Sequence, residues 1–600
     1  MSVMKKNIIK TALVLLAGFS FASCDLTEPM QVQADKAMIF GTESGLKTYS
    51  LSFYKMLPSI EDAFLQENGK VDYNVVRKMN NFFIDGAYTA ETSTSWSWGD
   101  LRNVNYFLDG LKSKECTVDA ATKAHYEGLA RWFRALFYFD KLTTYGEVPW
   151  FDKELQNYEF DLMYKNRDSR DVIVKNIIAD LDFAYENIKT TSSIGSSLIS
   201  KWAAAGFKSR VCLFEASFRK YHKISGELTP EYLFEQAAAA AQIVMDGSGH
   251  SLNTAKGTRG AYRDLFTSNT LPTNEVILGV NCSEAAGIYG NQNWRFNSAS
   301  YGNGYCLTRA FVYTMLMKDG TTFTSKPNYS ATSFADEFKN RDERLAQMVR
   351  GTDYLLDGKP APADIVTSVA VTGYHMIKFC VDKDILETRN PNGVPLMRYA
   401  EILLNYAEAK AELGELTDAE WAKTVGAIRA RAGIVGGIDK LPTVVDPYMQ
   451  QTFYPDVTDA VIMEIRRERA IELYFEGLRL NDLRRWKAGK LIKTLPWTGI
   501  HIPALDTPID INGDGTFDYY FSEKAAEGTY KNITVPVNVD ATKDGLWAVA
   551  NPAGGYDLEY RVVDQRVWYD NDRQYLYPVP AKVIRDYEAE GYTLSQNKGW

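Results

Sequence analysis

Cysteine and histidine are scarce in this 600-residue chain, which holds six of the first and five of the second. No two cysteines stand in CxxC spacing, and Cys116, Cys212, Cys282, Cys306 and Cys380 sit beside no histidine set suited to a metal. With five cysteines left once Cys24 is set aside, buried free thiols are expected, with room for one or two disulfides in an exported chain. His125, His222, His250, His375 and His501 are too scattered to form a ligand pair, so each reads as a packed or surface residue. GxSxG, HExxH, a Walker loop and GxGxxG are all missing, which removes the common signatures of hydrolases, zinc proteases and nucleotide enzymes. Glycoside hydrolysis needs only two carboxylates in space, so among 76 acids a surface glycoside hydrolase stays as a minor alternative.

A basic excess is lacking too. Net charge is −9, and removal of residues 1–23 would take away three lysines and no acid, giving −12. That excludes a nucleic-acid partner, whose phosphates demand a basic face. No Pro/Ser-rich or low-complexity stretch separates modules. Six hundred residues exceed one core, so several subdomains are expected within one body carrying long functional loops. Long apolar runs are confined to the start. Thr11 to Phe21 follows Lys5, Lys6 and Lys10 and is far short of the ~20 residues a spanning helix needs. Ala22 and Ser23 then precede Cys24, the pattern of a bacterial lipobox. A signal peptide over residues 1–23, with lipid on Cys24 tethering residues 24–600 to a membrane surface, is the expectation.

What is abundant is aromatic side chains, 13% of the chain with 12 Trp and 36 Tyr. Flat amphipathic rings suit sugar faces as well as cores. Helical periodicity is also strong. In RYAEILLNYAEAKAELG from Arg398, Tyr399, Ile402, Leu403, Tyr406 and Leu413 form one stripe, stopped by Gly414. Thr417 and Glu420 make a capping box for a second helix over Asp418 to Ala432. Helix, turn, helix in about 35 residues is the size of a tetratricopeptide-type unit. Asp119 to Leu142, Asp171 to Ile188, Ser200 to Tyr221 and Tyr232 to Met245 read as further helices, and the alanines at 237–241 would let two of them approach closely. The fold class is therefore mainly α. A helical-pair scaffold over 24–246 and 396–490 is interrupted by loop-rich excursions at 247–395 and 491–600.

The segments LMRYAEILLNYAEAKAELG (396–414), IRRERAIELYFEGLRLNDLRRWK (465–487), YLYPVPAKVI (575–584) and SQNKGW (595–600) resemble those of the SusD/RagB family of outer-membrane lipoproteins. RWFRALFYFDKLTTYGEVPW (131–150), KNRDERL (339–345) and TGYHMIKF (372–379) are similar in the same order, so the resemblance runs from Cys24 to Trp600. It implies a SusD-like scaffold of tetratricopeptide-like pairs whose excursions carry the ligand site. It further implies a surface-exposed outer-membrane location, no enzymatic activity and a SusC-like TonB-dependent transporter as partner. The ligand would be an oligosaccharide, with peptide as the alternative. Arg466, Arg467, Glu468, Arg469, Glu472, Glu476 and Arg479 read as ion pairs along and between helices, not as a catalytic cluster.

Two constellations remain. Trp96 and Trp98 lie in a polar stretch, with Trp98 leading into a helix at Leu101 to Leu108 and so favoured for the core. Tyr289, Trp294, Phe296, Tyr301 and Tyr305 stand among Gly, Asn and Ser, with Asn293 and Arg295 placed to read hydroxyls. In the family such aromatics, in these regions, build the ligand platform, so Trp96, Trp98, Tyr289, Asn293, Trp294, Arg295 and Tyr301 are the candidate ligand residues. The alternative use of the rings is to anchor long loops. The second constellation is Asp510, Asn512, Asp514, Thr516 and Asp518, oxygen donors at alternate positions with Gly515 at the sixth. This is the order of a calcium loop that lacks the closing Glu, since the twelfth position is Phe521. A structural Ca2+ is the expectation, an Asn-Gly/Asp-Gly hairpin turn the alternative. No catalytic cofactor is expected.

Overall fold

The computed structural model describes residues 36–600 apart from 191–195, 301, 362–364, 366–368, 385–388, 525–528 and 541. Cys24 and Tyr301 lie outside the described residues.

Five long helices open the fold: α1 (Gly99–Lys112), α2 (Ala120–Tyr145), α3 (Arg170–Asn187), α4 (Lys201–His222) and α5 (Pro230–Gly247). Each of α2 to α5 starts where a side chain takes up orphan N–H groups. Asp119 accepts from Ala121 and Thr122, both at 3.0 Å. Thr229 caps α5, where Pro230 loses nothing by lacking an N–H. α1 differs, because Trp98 fills its cap position and offers no acceptor. α4 and α5 press together, and Ala237 and Ala241 of α5 are fully buried. Ser209 Oγ spans the seam and donates to the Ala237 carbonyl at 2.9 Å. Short side chains permit that approach, as the alanine run predicts.

The second helical group is α6 (Tyr399–Glu412), α7 (Asp418–Lys423), α8 (Val425–Arg431), α9 (Ala460–Glu472) and α10 (Arg479–Arg485). The Thr417–Glu420 capping box forms as read. The single helix expected over 418–432 is two, broken at Thr424 (φ −113°, ψ −93°). The cause lies in the chain that crosses there. The Trp421 indole donates to the Gly437 carbonyl at 3.0 Å, and a Cβ on Gly426 would stand 1.9 Å from the Ile438 carbonyl oxygen. An unbroken helix with side chains at that point would exclude the crossing segment.

Strands β1 (Val276–Val280) and β2 (Val394–Arg398) pair antiparallel, and β2 runs directly into α6. A salt-bridge cluster welds this junction. Arg398 Nη1 meets Glu275 at 2.9 Å and Glu472 at 2.5 Å, and its Nε meets Glu476 at 2.7 Å. Arg344 reaches Glu468 at 2.6 Å and Glu472 at 2.9 Å, and Arg431 also pairs with Glu472. Burial by itself would raise the Glu472 carboxyl. Arg431, Arg398 and Arg344 outweigh it and hold that carboxyl well below the usual range. The charged run at 466–479 is thus structural, mostly linking separate segments. Arg466 departs from that reading. Among the described residues it makes no ion pair, and its guanidinium sits 4.7–5.1 Å from the rings of Tyr221, Tyr454 and Trp486.

The C-terminal region holds β3 (Thr498–Ile502), β4 (Pro508–Ile509), β5 (Tyr519–Ser522), β6 (Lys531–Thr534), β7 (Gly545–Ala550) and β8 (Tyr556–Arg561), then α11 (Ala581–Ala589). β8 lies between β7 and β3, antiparallel to both, and β5 lies between antiparallel β4 and parallel β6. The last residues return to the first helical group. Arg167 donates to Asn597 at 2.6 Å and Ser595 at 3.0 Å, while Asn597 donates to the Tyr145 carbonyl at 2.9 Å. The five described cysteines are free thiols. Among the described residues no helix is long and apolar enough to cross a membrane.

Candidate ligand-binding site

The uncapped start of α1 positions the first pair of candidate residues. Trp98 leans on Phe137 of α2 (centroids 5.5 Å) and meets Phe151 edge to face at 5.3 Å. Trp96 packs edge to face on Tyr145 at 4.9 Å. Lys141 of α2 donates to the Ser95 carbonyl at 3.0 Å, fixing the backbone just before the first indole. Burial pushes that ammonium below its ordinary pKa. Both rings are half-buried, so Trp98 is only partly the core residue expected.

The indoles wall a hollow of about 410 Å³, closed on another side by Val583 and Tyr587 of α11. Its rim carries polar groups of two kinds. Arg102 is paired with Glu154 at 3.2 Å, Lys153 with Glu159 at 2.5 Å, and Asn105 donates to the Phe151 and Lys153 carbonyls at 3.0 and 3.1 Å. Gln156 and Asn157 are exposed, and their carboxamides make no hydrogen bond among the described residues. The hollow therefore offers apolar ring surface beside uncommitted amide donors and acceptors.

The second region of interest divides. The short helix Gln292–Asn297 carries Asn293, Trp294 and Arg295. Arg295 faces a cavity of about 750 Å³ between residues 78–92 and 295–305, and its guanidinium is held by Glu61 and lies 4.8 Å from the Trp294 ring centroid. Trp294 and Tyr289 are half-buried and line neither cavity. Asn293 is a correction. It is fully buried, donates to the Val381 and Lys383 carbonyls at 3.0 and 2.8 Å, and accepts from Val381 N–H at 2.9 Å and Asn390 at 2.8 Å. Its amide is satisfied by protein and does not face a ligand. Phe296 and Tyr305 are core residues, each 2% exposed. Sequence reasoning missed the opposite wall of this cavity, Asn68, Lys78 and Asn80 among it, because no periodicity or aromatic cluster marks it.

The 510–518 segment is the connection of the β4–β5 hairpin, with Ile509 opposite Tyr519. Asp510 accepts from Gly513 and Gly515 N–H at 2.7 and 2.8 Å, Asn512 from Asp514 at 3.1 Å, and Asp514 from Thr516 at 2.7 Å. Asp518 accepts from Ile511 N–H at 3.0 Å. Burial, with the charges of Asp514 and Asp510 added, holds the Asp518 carboxyl above its usual range. The donor chemistry, hard oxygens repelling one another, suits calcium. Convergence is incomplete, since among the described residues no group of three or more His, Cys, Asp or Glu is gathered to hold an ion.

The fold is thus a mainly helical scaffold of the tetratricopeptide-like class, bearing an aromatic hollow and an amide-lined cavity. The chain belongs to the SusD family, whose model matches residues 274–600. A second model, described as starch-binding associating with outer membrane, matches residues 57–213. SusD-like protein P38 of Formosa agariphila is 26% identical over 420 residues, covering 67% of this chain and 74% of that protein. A SusD-like protein of Bacteroides fragilis superposes with a TM-score of 0.65 at 22% identity, covering 94% of this chain and 99% of the other. A SusD-like carbohydrate binding protein of the same organism superposes with a TM-score of 0.66 at 19% identity, covering 92% and 99%.

Proposed function

We propose that this protein captures an oligosaccharide without cleaving it and hands it to a partner TonB-dependent transporter in the outer membrane. The observation that carries the reading is the Trp96–Trp98 hollow. A pyranose offers an apolar C–H face and a rim of hydroxyls, and the hollow sets indole surface beside the free carboxamides of Gln156 and Asn157. The family supports glycan as the ligand class through the starch-binding description of its second model and the carbohydrate-binding neighbour. Lipid on Cys24 would keep the protein at the cell surface beside its transporter. A structural Ca2+ in the 510–518 loop would staple the β4–β5 hairpin, a proposal supported by the alternate spacing of its oxygen donors.

Affinity electrophoresis through a panel of glycan gels tests capture. Retarded migration without new reducing ends is the expected result; new reducing ends would establish a hydrolase instead. Retardation by no glycan, with binding to a peptide library, would move the function to peptide uptake. Co-purification with a TonB-dependent barrel from solubilised membranes tests the delivery step, and its absence under gentle extraction would remove that partner.

A further inference from the structure

The cavity facing Arg295 has a chemistry of its own. It is lined by Lys78 and Arg295 and by no acidic residue, in a chain whose net charge is −9. Glu61 offsets Arg295. Lys78 is exposed and makes no ion pair among the described residues. Arg77 adds a third cation beside the same wall, its guanidinium donating to the Gly302 carbonyl with no carboxylate partner among the described residues. The local balance is therefore positive.

The carboxamides reinforce it. Asn303 Nδ2 donates to the Lys78 carbonyl at 3.2 Å and to Asn68 Oδ1 at 2.9 Å, so the Asn68 oxygen is already engaged. Asn80 Oδ1 accepts the Phe82 N–H at 3.0 Å. Among the described residues both carboxamides, of Asn68 and Asn80, also keep their NH2 groups free to donate. Cations and amide donors, set in a concavity with no carboxylate in its lining, favour an anionic oxygen.

We propose that this cavity binds the charged group, carboxylate or sulfate, of an acidic saccharide, with Lys78 as its charge partner. This rests on the reading of the protein as a glycan binder and narrows its ligand class. The test uses three matched pairs of gels: polygalacturonate and alginate, each with its carboxyl-reduced form, and chondroitin sulfate with its desulfated form. The parent should be retarded at least about ten-fold more strongly by one parent polymer than by its partner lacking that charged group. Lys78→Met, a surface change, should bring that polymer down to the level of its partner, and the pair that responds tells carboxylate from sulfate. Equal retardation by both members of every pair, or an unchanged acidic affinity in Lys78→Met, overturns the assignment while leaving glycan capture standing. Retardation of the parent by neutral glycans alone does the same. No retardation by any glycan overturns both.

Discussion

The indoles of Trp96 and Trp98 meet edge to face, with centroids 5.5 Å apart and planes at 75°. Both rings line the same hollow, so a sugar that stacked on one would be held laterally by the other. Removing either should cost more than its own contact area. For Trp98→Ala we expect a loss of about 2 kcal/mol or more, roughly thirty-fold in affinity. Trp96→Ala should lose somewhat less. Affinity electrophoresis on the glycan the parent binds, with circular dichroism to verify folding, gives the check. Unchanged migration of both folded variants would place the ligand elsewhere.

Asn293 should behave in the opposite way. Four hydrogen bonds converge on its buried amide, joining 293 to 381, 383 and 390. Asn293→Ala leaves those partners unsatisfied, at about 1–3 kcal/mol for each that water cannot reach. A drop of several kcal/mol in unfolding free energy is expected, with glycan affinity of the folded fraction unchanged. Urea titration paired with electrophoresis separates the two effects. Intact stability with lost binding would return Asn293 to the ligand site.

Glu67 supplies a pH signature. It is fully buried, accepting from the Tyr73 hydroxyl and from Arg479 N–H at 2.8 Å. Burial pushes its carboxyl up to about 7 from 4.5, with the Tyr73 and Arg479 hydrogen bonds opposing only part of the rise. A carboxyl that holds its proton more tightly when folded contributes stability below the unfolded value. That contribution fades as pH rises from about 4.5 to about 7 and is gone above. Comparing Glu67→Gln with the parent isolates this group. The parent should lose up to about 3 kcal/mol relative to the variant across that window. A difference that stays flat from pH 4 to 8 would show that Glu67 does not titrate there.

Calcium at the 510–518 loop is tested by calorimetry. The parent should release or absorb heat on titration with calcium, and Asp514→Ala should not. The metal should also raise the melting temperature of the parent alone, by mass action on the folded state. Equal heats from both proteins would leave the loop as a hairpin turn held by its own Asx bonds.

Much of the scaffold is legible in sequence because helices bury one stripe and declare it every 3.6 residues. α2 to α5 fall within a few residues of their expected bounds for that reason, and the Thr417–Glu420 box is a purely local motif. The break at Thr424 is not local. It depends on residues 437 and 438 folding back over Gly426, a crossing that helical periodicity does not report. Asn293 misleads for a related reason, since an asparagine in a Gly/Asn/Ser-rich stretch reads as exposed whether it meets water or four protein partners. Trp96 and Trp98 are conspicuous as rings in a polar run, and they line a cavity. The wall formed by Asn68, Lys78 and Asn80 carries no such mark. Only its juxtaposition with Arg295, more than 200 residues later, makes it a surface of one chemistry.

The return of the C-terminus onto α2 has a kinetic meaning. Asn597 satisfies the Tyr145 carbonyl and anchors Arg167, contacts that bridge 452 and 430 positions of sequence. Closing so long a loop is slow and gives no reward until residue 597 has been made. Until that point the first five helices lack the strap that ties Asn597 to Tyr145 and Arg167.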